Sequence, residues 1–207
     1  MEDFIFNKST LNFTHIIMKN VLLFASGGGS NVKAILNYFH SNSNVHFPLI
    51  LTNNPDAGVI EIAESFGIDV MVINKEILND EIFIDTIDSY SPALIVLAGF
   101  LWKIPSFMIA KYPHQIINIH PSLLPKYGGK GMYGHHVHEA VVNNYETESG
   151  ITIHYVNEEY DEGAVILQRN VAVSPTDNAE QVAANVLKLE HEWYSKVIDT
   201  ILTQIAH

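Results

Sequence analysis

The chain has 207 residues, of which 47% are hydrophobic and 16% are charged, and its net charge is −12. These proportions are typical of a soluble globular protein with a substantial core. The absence of cysteine excludes a disulfide framework, a thiolate zinc site and a cysteine nucleophile. The acidic balance argues against binding of nucleic acid, and no apolar run reaches the roughly 18–20 residues of a membrane span. We therefore predict a cytoplasmic protein that acts on small molecules.

The first residues carry no recognisable targeting signal. Residues 1–17 mix polar side chains with short apolar pairs, and they lack the basic and apolar regions of a secretory signal. Met18 leads directly into the first clear strand. We predict that residues 1–17 form a poorly ordered extension, that Met18 is the true start, and that residues 18–207 form a single domain. N-terminal mass spectrometry of the native protein tests this, and a chain beginning at Met1 or Glu2 would contradict it.

The first half of the chain alternates apolar strands with amphipathic helices. A strand at 21–25 runs into a glycine-rich turn at 26–31 and then a helix with one apolar face. Further elements follow in the same alternation: strands at 47–51, 70–73 and 94–97, and helices at 58–66 and 81–90. The strand at 94–97 is continuously apolar, as is typical of strands buried on both faces of a parallel sheet. This order predicts an α/β, Rossmann-like fold, with a mainly parallel twisted sheet and helices on both faces.

The second half departs from this alternation. A short helix at 106–111 precedes a strand at 116–120, a glycine-rich loop and a helix at 134–144. Two strands of alternating polarity then flank a polar loop, which predicts an antiparallel pair at 151–156 and 165–173. A long amphipathic helix at 178–205 completes the fold. In such sheets ligands bind at the carboxyl ends of the strands, where the 26–31 turn, the 98–104 loop and His120 are expected.

The strand at 116–120 carries the most informative pair of side chains. Residues at i and i+2 of a strand share a face, so Asn118 and His120 present an amide and an imidazole side by side. This pair suits a carbonyl-polarising donor next to a titratable group. The alternative is a strand end whose polar groups are simply hydrogen-bonded.

The glycine turn is a poor dinucleotide fingerprint. Val32 occupies the place of the third glycine, no acidic residue ends the second strand, and the P-loop lysine is absent. What remains is a turn that permits close backbone approach, with Ser30 and Asn31 at a helix N-terminus, which suits one phosphate group. The alternative is a tight turn in which Ser30 caps the helix.

The acidic loop at 158–163 has both a plain and a functional interpretation. Such a segment is ordinarily an exposed hairpin tip. Its functional interpretation is that Asp161 reaches His120, fixes the imidazole tautomer and raises the imidazole pKa. Asp161 is preferred because the following Glu162 and Gly163 can turn sharply.

The remaining histidines are interpreted without a metal. His135, His136 and His138 offer a helical spacing, but no second ligand cluster lies near them in sequence. We expect ordinary residues at a helix start and no metal site. His154 alternates with apolar residues on its strand and is expected to be structural.

Taken together, these segments resemble the glycinamide ribonucleotide formyltransferase family over about residues 20–205. The resemblance rests on four motifs: SGGGSN at 26–31, LAGF at 97–100, NIHPSLLPK at 118–126 and DEGAVILQ at 161–168. The third motif is shared with methionyl-tRNA formyltransferase and 10-formyltetrahydrofolate hydrolase, so it indicates the chemistry more specifically than the substrate. The glycine turn and the chain length favour the ribonucleotide enzyme.

The resemblance implies a function and a set of site residues. The implied catalytic trio is Asn118, His120 and Asp161. Residues implied to bind the ribonucleotide are Gly29, Ser30, Asn31 and Glu190. Residues implied to line the folate pocket are Leu101, Trp102, Lys103, Ile104, Asn118, Tyr160, Glu162 and Gly163. The implied co-substrate is 10-formyltetrahydrofolate, without a metal, and the protein is expected to be a monomer or a homodimer.

The chain also departs from the family pattern. Trp102 and Lys103 stand where many relatives have arginine followed by an aliphatic residue, and the 75–82 segment has no arginine, although Lys75 is present. Leu187 replaces a basic residue, and the loop at 126–138 is longer and richer in glycine and histidine. Two alternatives stay open: formyl transfer to another amine, such as an amino sugar, and non-catalytic binding of folate or phosphate. An NAD-binding reductase is disfavoured by the missing third glycine.

Overall fold

The computed structural model describes residues 18–205. The strands are β1 (Lys19–Phe24), β2 (Val45–Thr52), β3 (Asp69–Val72), β4 (Pro92–Leu97), β5 (Ile116–His120), β6 (Glu148–Tyr155) and β7 (Val165–Ala172). The helices are α1 (Ser30–Phe39), α2 (Val59–Phe66), α3 (Lys75–Leu78), α4 (Phe83–Ser89), α5 (Ser106–Lys111), α6 (His135–Asn143) and α7 (Ala179–Gln204). Within this part of the chain, no helix combines the length and the apolar character needed to cross a membrane. The predicted extension over residues 1–17 lies outside the described residues.

The strands form one sheet in the order β3-β2-β1-β4-β5-β6-β7. The five strands from β1 to β5 run parallel to one another, whereas β6 is antiparallel to both β5 and β7. The predicted α/β fold, with its mainly parallel sheet, its antiparallel pair and its long final helix, is confirmed. The strand order reverses at β1, between β2 and β4, and this reversal opens a crevice at the carboxyl ends of the strands.

One element is not predicted from the sequence, and one strand begins earlier than predicted for an identifiable reason. The segment at 75–78 forms a one-turn helix that the apolar pattern does not reveal, and Asn74 caps it by accepting from the Ile77 amide at 2.8 Å. Strand β6 begins at Glu148 rather than at 151, because Glu148–Gly150 pairs with the end of β7. Gly150 permits this pairing, since a β-carbon there would lie 2.0 Å from the Arg169 carbonyl oxygen.

The alternation of side chains along the strands produces an apolar cluster on each face of the sheet. On one face, here called the α7 face, helices α1, α2, α6 and α7 cover residues such as Leu23 and Ile117. On the other, the α5 face, helices α3, α4 and α5 cover residues such as Leu22 and Ile116. The predicted arrangement of helices on both faces is therefore present.

Helix α7 is fixed at its start and in its middle. Asn178 accepts from the Gln181 amide while the Gln181 side chain accepts from the Asn178 amide, which is a complete capping box. Farther along, the buried Tyr194 hydroxyl donates to the carbonyl oxygens of Leu97 at 2.9 Å and Ile117 at 3.3 Å. These bonds tie the helix to the carboxyl end of β4 and to the neighbouring strand β5, which carries Asn118 and His120.

Candidate active site

Strand β5 delivers its two polar side chains to the α5 face of the sheet. Ile117 and Ile119 are buried on the α7 face, so the alternation turns Asn118 and His120 to the opposite side. The antiparallel register places Asn118 opposite His154 and His120 opposite Thr152. Because paired residues share a face, four polar side chains from two strands meet there.

The His120 imidazole is buried and contacts two acceptors. Its Nε2 atom lies 2.7 Å from the Tyr127 carbonyl oxygen, and its Nδ1 atom lies 3.4 Å from Asp161 Oδ2. A carbonyl oxygen can only accept, so Nε2 carries a proton. Burial lowers the pKa of His120, and the Asp161 charge and the Tyr127 carbonyl oppose that shift without cancelling it. The sequence predicts a raised His120 pKa. The Asp161 carboxylate does act in that direction, but the cost of burying an imidazolium outweighs it.

Asp161 reaches the imidazole from the loop between β6 and β7. Its Oδ2 atom accepts from the Gly129 amide at 2.9 Å, and its Oδ1 atom lies 3.6 Å from His154 Nε2. Burial acts to raise the pKa of the Asp161 carboxyl, but the nearby His154 and His120 rings and the Gly129 amide outweigh it and lower the pKa. The carboxylate therefore stays ionised in its buried position.

The sequence predicts a sharp turn at Glu162 and Gly163, but the structure has the turn at Asp161. Asp161 itself has φ 59°, in the left-handed region, whereas Gly163 does not have a positive φ. Gly163 is needed for a different reason: a β-carbon there would lie 1.7 Å from the Tyr155 carbonyl oxygen. The glycine lets the loop lie directly against the end of β6, which brings Asp161 back towards β5.

His154 belongs to the same cluster, although sequence analysis expects only a structural role. Its Nδ1 atom is 2.9 Å from the Tyr155 carbonyl oxygen, which fixes the proton on Nδ1. The unprotonated Nε2 atom can then accept from Asn118 Nδ2 at 3.3 Å. His154 thus orients the Asn118 amide and approaches Asp161. No local signal in the sequence reveals this, because the pairing of His154 with Asn118 depends on the register between β5 and β6.

These groups open into a cavity of about 510 Å³. Most of the sequence-predicted site residues line it: Asn31, Leu101, Trp102, Lys103, Ile104, Asn118, His120, Tyr160, Asp161 and Glu190. Four predicted residues do not line it: Gly29, Ser30, Glu162 and Gly163. Ser30 also does not cap α1, because the N-cap residue is Gly29, with φ 74° and no side-chain cap bond. A β-carbon on Gly29 would lie 2.8 Å from Val59, so this glycine lets α1 and α2 approach closely.

One end of the cavity is formed by α1 and α7. Asn31 Nδ2 donates to Glu190 Oε2 at 2.5 Å, and burial raises the pKa of Glu190 while Asn31 opposes that shift. The Asn31 Oδ1 atom is buried and has no partner among the described residues. Asn31 therefore holds Glu190 in place, while its own acceptor atom is enclosed by the protein.

The other end is aromatic and is formed by the loop after β4. The Leu101 amide donates to the Ser26 hydroxyl at 2.9 Å, which fixes the start of this loop. Lys75 lies 5.8 Å from the centre of the Trp102 ring, and Lys103 lies at the same distance from the Tyr160 ring. A flat aromatic ligand fits such walls.

The loop at 129–134 forms a third wall, which sequence analysis did not assign. Beyond it, His135 and His136 each lie near Glu139, at 3.4 and 3.5 Å. His138 is buried, and burial lowers its pKa to about 4. Between residues 18 and 205, no group of three or more metal-ligating side chains comes together.

Comparison with known proteins identifies the family. Residues 19–198 match the model of the formyl transferase family. The chain belongs to this family. The family match covers all the strands and most of α7, and it includes every residue of the cluster described above.

The relatives of this chain in the formyl transferase family that are described next are both named phosphoribosylglycinamide formyltransferase. Phosphoribosylglycinamide formyltransferase of Bacillus subtilis (strain 168) is 34% identical over 191 residues, covering 89% of this chain and 95% of that protein. The chloroplastic phosphoribosylglycinamide formyltransferase of Arabidopsis thaliana is 40% identical over 190 residues, covering 88% of this chain. The chain spans only 65% of that plant protein's length.

Solved structures of family members share the fold. The crystal structure of phosphoribosylglycinamide formyltransferase from Anaplasma phagocytophilum superposes with a TM-score of 0.82 at 33% identity, covering 90% of this chain and 88% of that one. The enzyme from Bacillus halodurans gives a TM-score of 0.81 at 27% identity, with 90% and 97% covered.

Proposed function

We propose that the protein transfers the formyl group of 10-formyltetrahydrofolate to the amine of phosphoribosylglycinamide, a step of purine biosynthesis. The observation that carries this proposal is the meeting of an amide, an imidazole and a carboxylate in one cavity with two different ends. The membership of the formyl transferase family and the names of the relatives support it.

The two ends of the cavity suit the two substrates. The aromatic end around Trp102 and Tyr160 suits the pterin and benzoyl rings of a folate. The end with Asn31 and Glu190 suits a ribose, since the Glu190 side chain can accept from hydroxyl groups. The glycine turn at 26–31 is proposed to hold the phosphate through its backbone amides.

Asn118 and His120 are proposed to act on the formyl group. The substrate amine attacks the formyl carbon, a C–N bond forms, and the carbonyl electron pair moves onto oxygen. One Asn118 Nδ2 hydrogen is directed to His154, which leaves the second for the oxyanion. A donor of this kind contributes about 3–4 kcal/mol to the transition state. The His120 Nε2 proton is a second donor, provided that the Tyr127 carbonyl releases it when the substrates bind.

Asp161 is proposed to assist proton transfer from the attacking amine to the folate. The attacking amine loses a proton, and N10 of the folate must gain one as the C–N10 bond breaks. The ionised Asp161 stabilises a positive charge on His120 and relays the proton through water. The products are the formylated ribonucleotide and tetrahydrofolate, so atoms and charge balance.

The test is an assay of the purified protein with 10-formyltetrahydrofolate and competing amines. We expect rapid formation of tetrahydrofolate with phosphoribosylglycinamide and little with amino-sugar nucleotides. Faster turnover of an amino sugar would overturn the substrate assignment. Tight folate binding without transfer to any amine would instead indicate a non-catalytic binding protein. Cytoplasmic location, the absence of nucleic-acid and membrane partners, and a monomeric or dimeric state stay predictions.

A further inference from the structure

The third wall of the cavity presents a lysine between two glycines. Lys130 lines the cavity, and Gly129 and Gly131 on either side both have φ 90°, a conformation that favours glycine. A β-carbon on either glycine would meet no atom within 4 Å, so open space surrounds this part of the loop. The backbone conformation, and not the packing of neighbours, therefore explains the glycines.

The loop is attached to the catalytic groups by its backbone. The Gly129 amide donates to Asp161 Oδ2, the Tyr127 carbonyl accepts from His120, and the Met132 amide donates to the Gly129 carbonyl at 3.1 Å. Lys130 therefore follows directly after an amide that is bonded to the proposed catalytic carboxylate. Its backbone is held at the reacting centre while its side chain is exposed.

The charges around the cavity leave Lys130 as the unpaired cation. Of the two cationic side chains that line the cavity, Lys103 lies 3.8 Å from Glu159. Across residues 18–205, no carboxylate lies within ion-pair distance of Lys130. The other charged residues of the wall, Glu159, Asp161 and Glu190, are acidic. Both proposed substrates are anionic, so the cavity needs a cation that is free to meet them.

The position of the loop selects one substrate. After Lys130 the chain enters α6, which packs against α7 on the α7 face of the sheet, and α1 packs against α7 as well. Asn31 on α1 and Glu190 on α7 form the end of the cavity that suits the ribonucleotide. Lys103 instead precedes α5, on the opposite face.

We propose that Lys130 binds the phosphate group of the ribonucleotide substrate. It supplements the amides of the glycine turn with a positive charge. This inference rests on the proposed function, since it assigns a contact to the substrate named there. It also gives the glycine-rich loop a purpose, which is to carry one cation to a site next to Asp161.

Lys130→Met tests the proposal, because it removes the charge and keeps most of the side-chain length. We expect the KM for phosphoribosylglycinamide to rise about tenfold or more, since a bond between charged groups is worth that much. The KM for the folate and kcat should change less than about twofold, and Lys130→Arg should stay close to the wild type. With the phosphate-free riboside as substrate, wild type and Lys130→Met should have equal kcat/KM.

Lys126→Met is the matched control, because Lys126 is in the same loop but bonds to Glu146, outside this cavity. It should leave kcat, the KM for phosphoribosylglycinamide and the KM for the folate unchanged. A rise in the folate KM instead would assign Lys130 to the folate carboxylates and overturn the proposal, as would unchanged constants in a folded Lys130→Met protein. Calorimetric binding of phosphoribosylglycinamide to the wild type and to Lys130→Met separates failure of this inference from failure of the proposed function. If the wild type binds phosphoribosylglycinamide without turnover, only the proposed function fails.

Discussion

The two halves of the site are held in different ways. Asn118, His120 and His154 lie on neighbouring strands in the interior of the sheet, where the register between β5 and β6 fixes their separation. Asp161 and Lys130 lie on loops, and those loops are held by a few bonds such as that from the Gly129 amide to Asp161. Strands give a fixed array of polar groups, whereas loops bring in groups from distant parts of the chain.

This difference matches the different roles proposed for the strand-held and the loop-held groups. The strand-held groups are those proposed to contact the formyl oxygen, where a small displacement is costly. The loop-held groups are those proposed to handle protons and substrate charge, and those tasks tolerate adjustment when ligands bind. The following predictions test the distinction.

The largest effects are expected from the catalytic trio. Asn118→Ala, His120→Ala and Asp161→Ala should each fold but lose about 10²–10⁴ in kcat, because each removes an oxyanion donor or a proton-transfer group. Steady-state assays and thermal melts measure both properties. Ile153→Val, which trims a buried residue of β6 on the opposite face, is the control and should lower stability with unchanged kcat. Near-wild-type turnover in His120→Ala would remove the central assignment.

A large effect on stability is expected where the acidic loop meets the strands. Gly163→Ala places a β-carbon 1.7 Å from the Tyr155 carbonyl oxygen, so backbone must move. We expect a loss of about 2–3 kcal/mol in the free energy of unfolding, measured by urea titration. Gly27→Ala, at a position with no atom within 4 Å of the added carbon, should change stability little. Equal losses in the two variants would show that close packing does not explain Gly163.

A smaller effect on catalysis is expected from His154. His154→Phe removes the acceptor that orients Asn118, and we expect kcat to fall about 10–10²-fold with both KM values nearly unchanged. His154→Gln keeps an acceptor and should recover most of the loss. In an Asn118→Ala background, His154→Phe should lower kcat much less, because His154 acts through Asn118. Fully additive losses would contradict this positioning role.

The smallest effect is on the pH dependence of stability. His138 has a pKa of about 4 in the folded protein, against about 6.5 in an unfolded chain. Between these values the unfolded chain binds more protons, so stability falls as the pH is lowered from 6.5 to 4, by at most about 1.4 kcal/mol per pH unit. His138→Leu should flatten this part of the curve. His40→Leu, at an exposed histidine, should leave its slope unchanged.

The sequence predicts much of the fold because the signals are local. Apolar alternation places the strands, Gly67 ends α2 with φ 68°, and Asn178 and Gln181 form the cap of α7. The one-turn helix at 75–78 has no such pattern, since four residues are too few to show a helical period. The alternative interpretation of Ser30 as a helix cap is wrong, because a serine at a helix start resembles a cap but Gly29 takes that position.

The sequence by itself determines the central pair of the site: Asn118 and His120 share a face because they are two residues apart on a strand. What only the tertiary structure decides is which distant groups join them. The register of β6 brings in His154, the close approach at Gly163 returns Asp161 to β5, and the glycine loop adds Lys130 to the cavity wall. The pKa of His120 is decided in the same way, since burial and the carboxylate act in opposite directions and only the packed structure sets their balance.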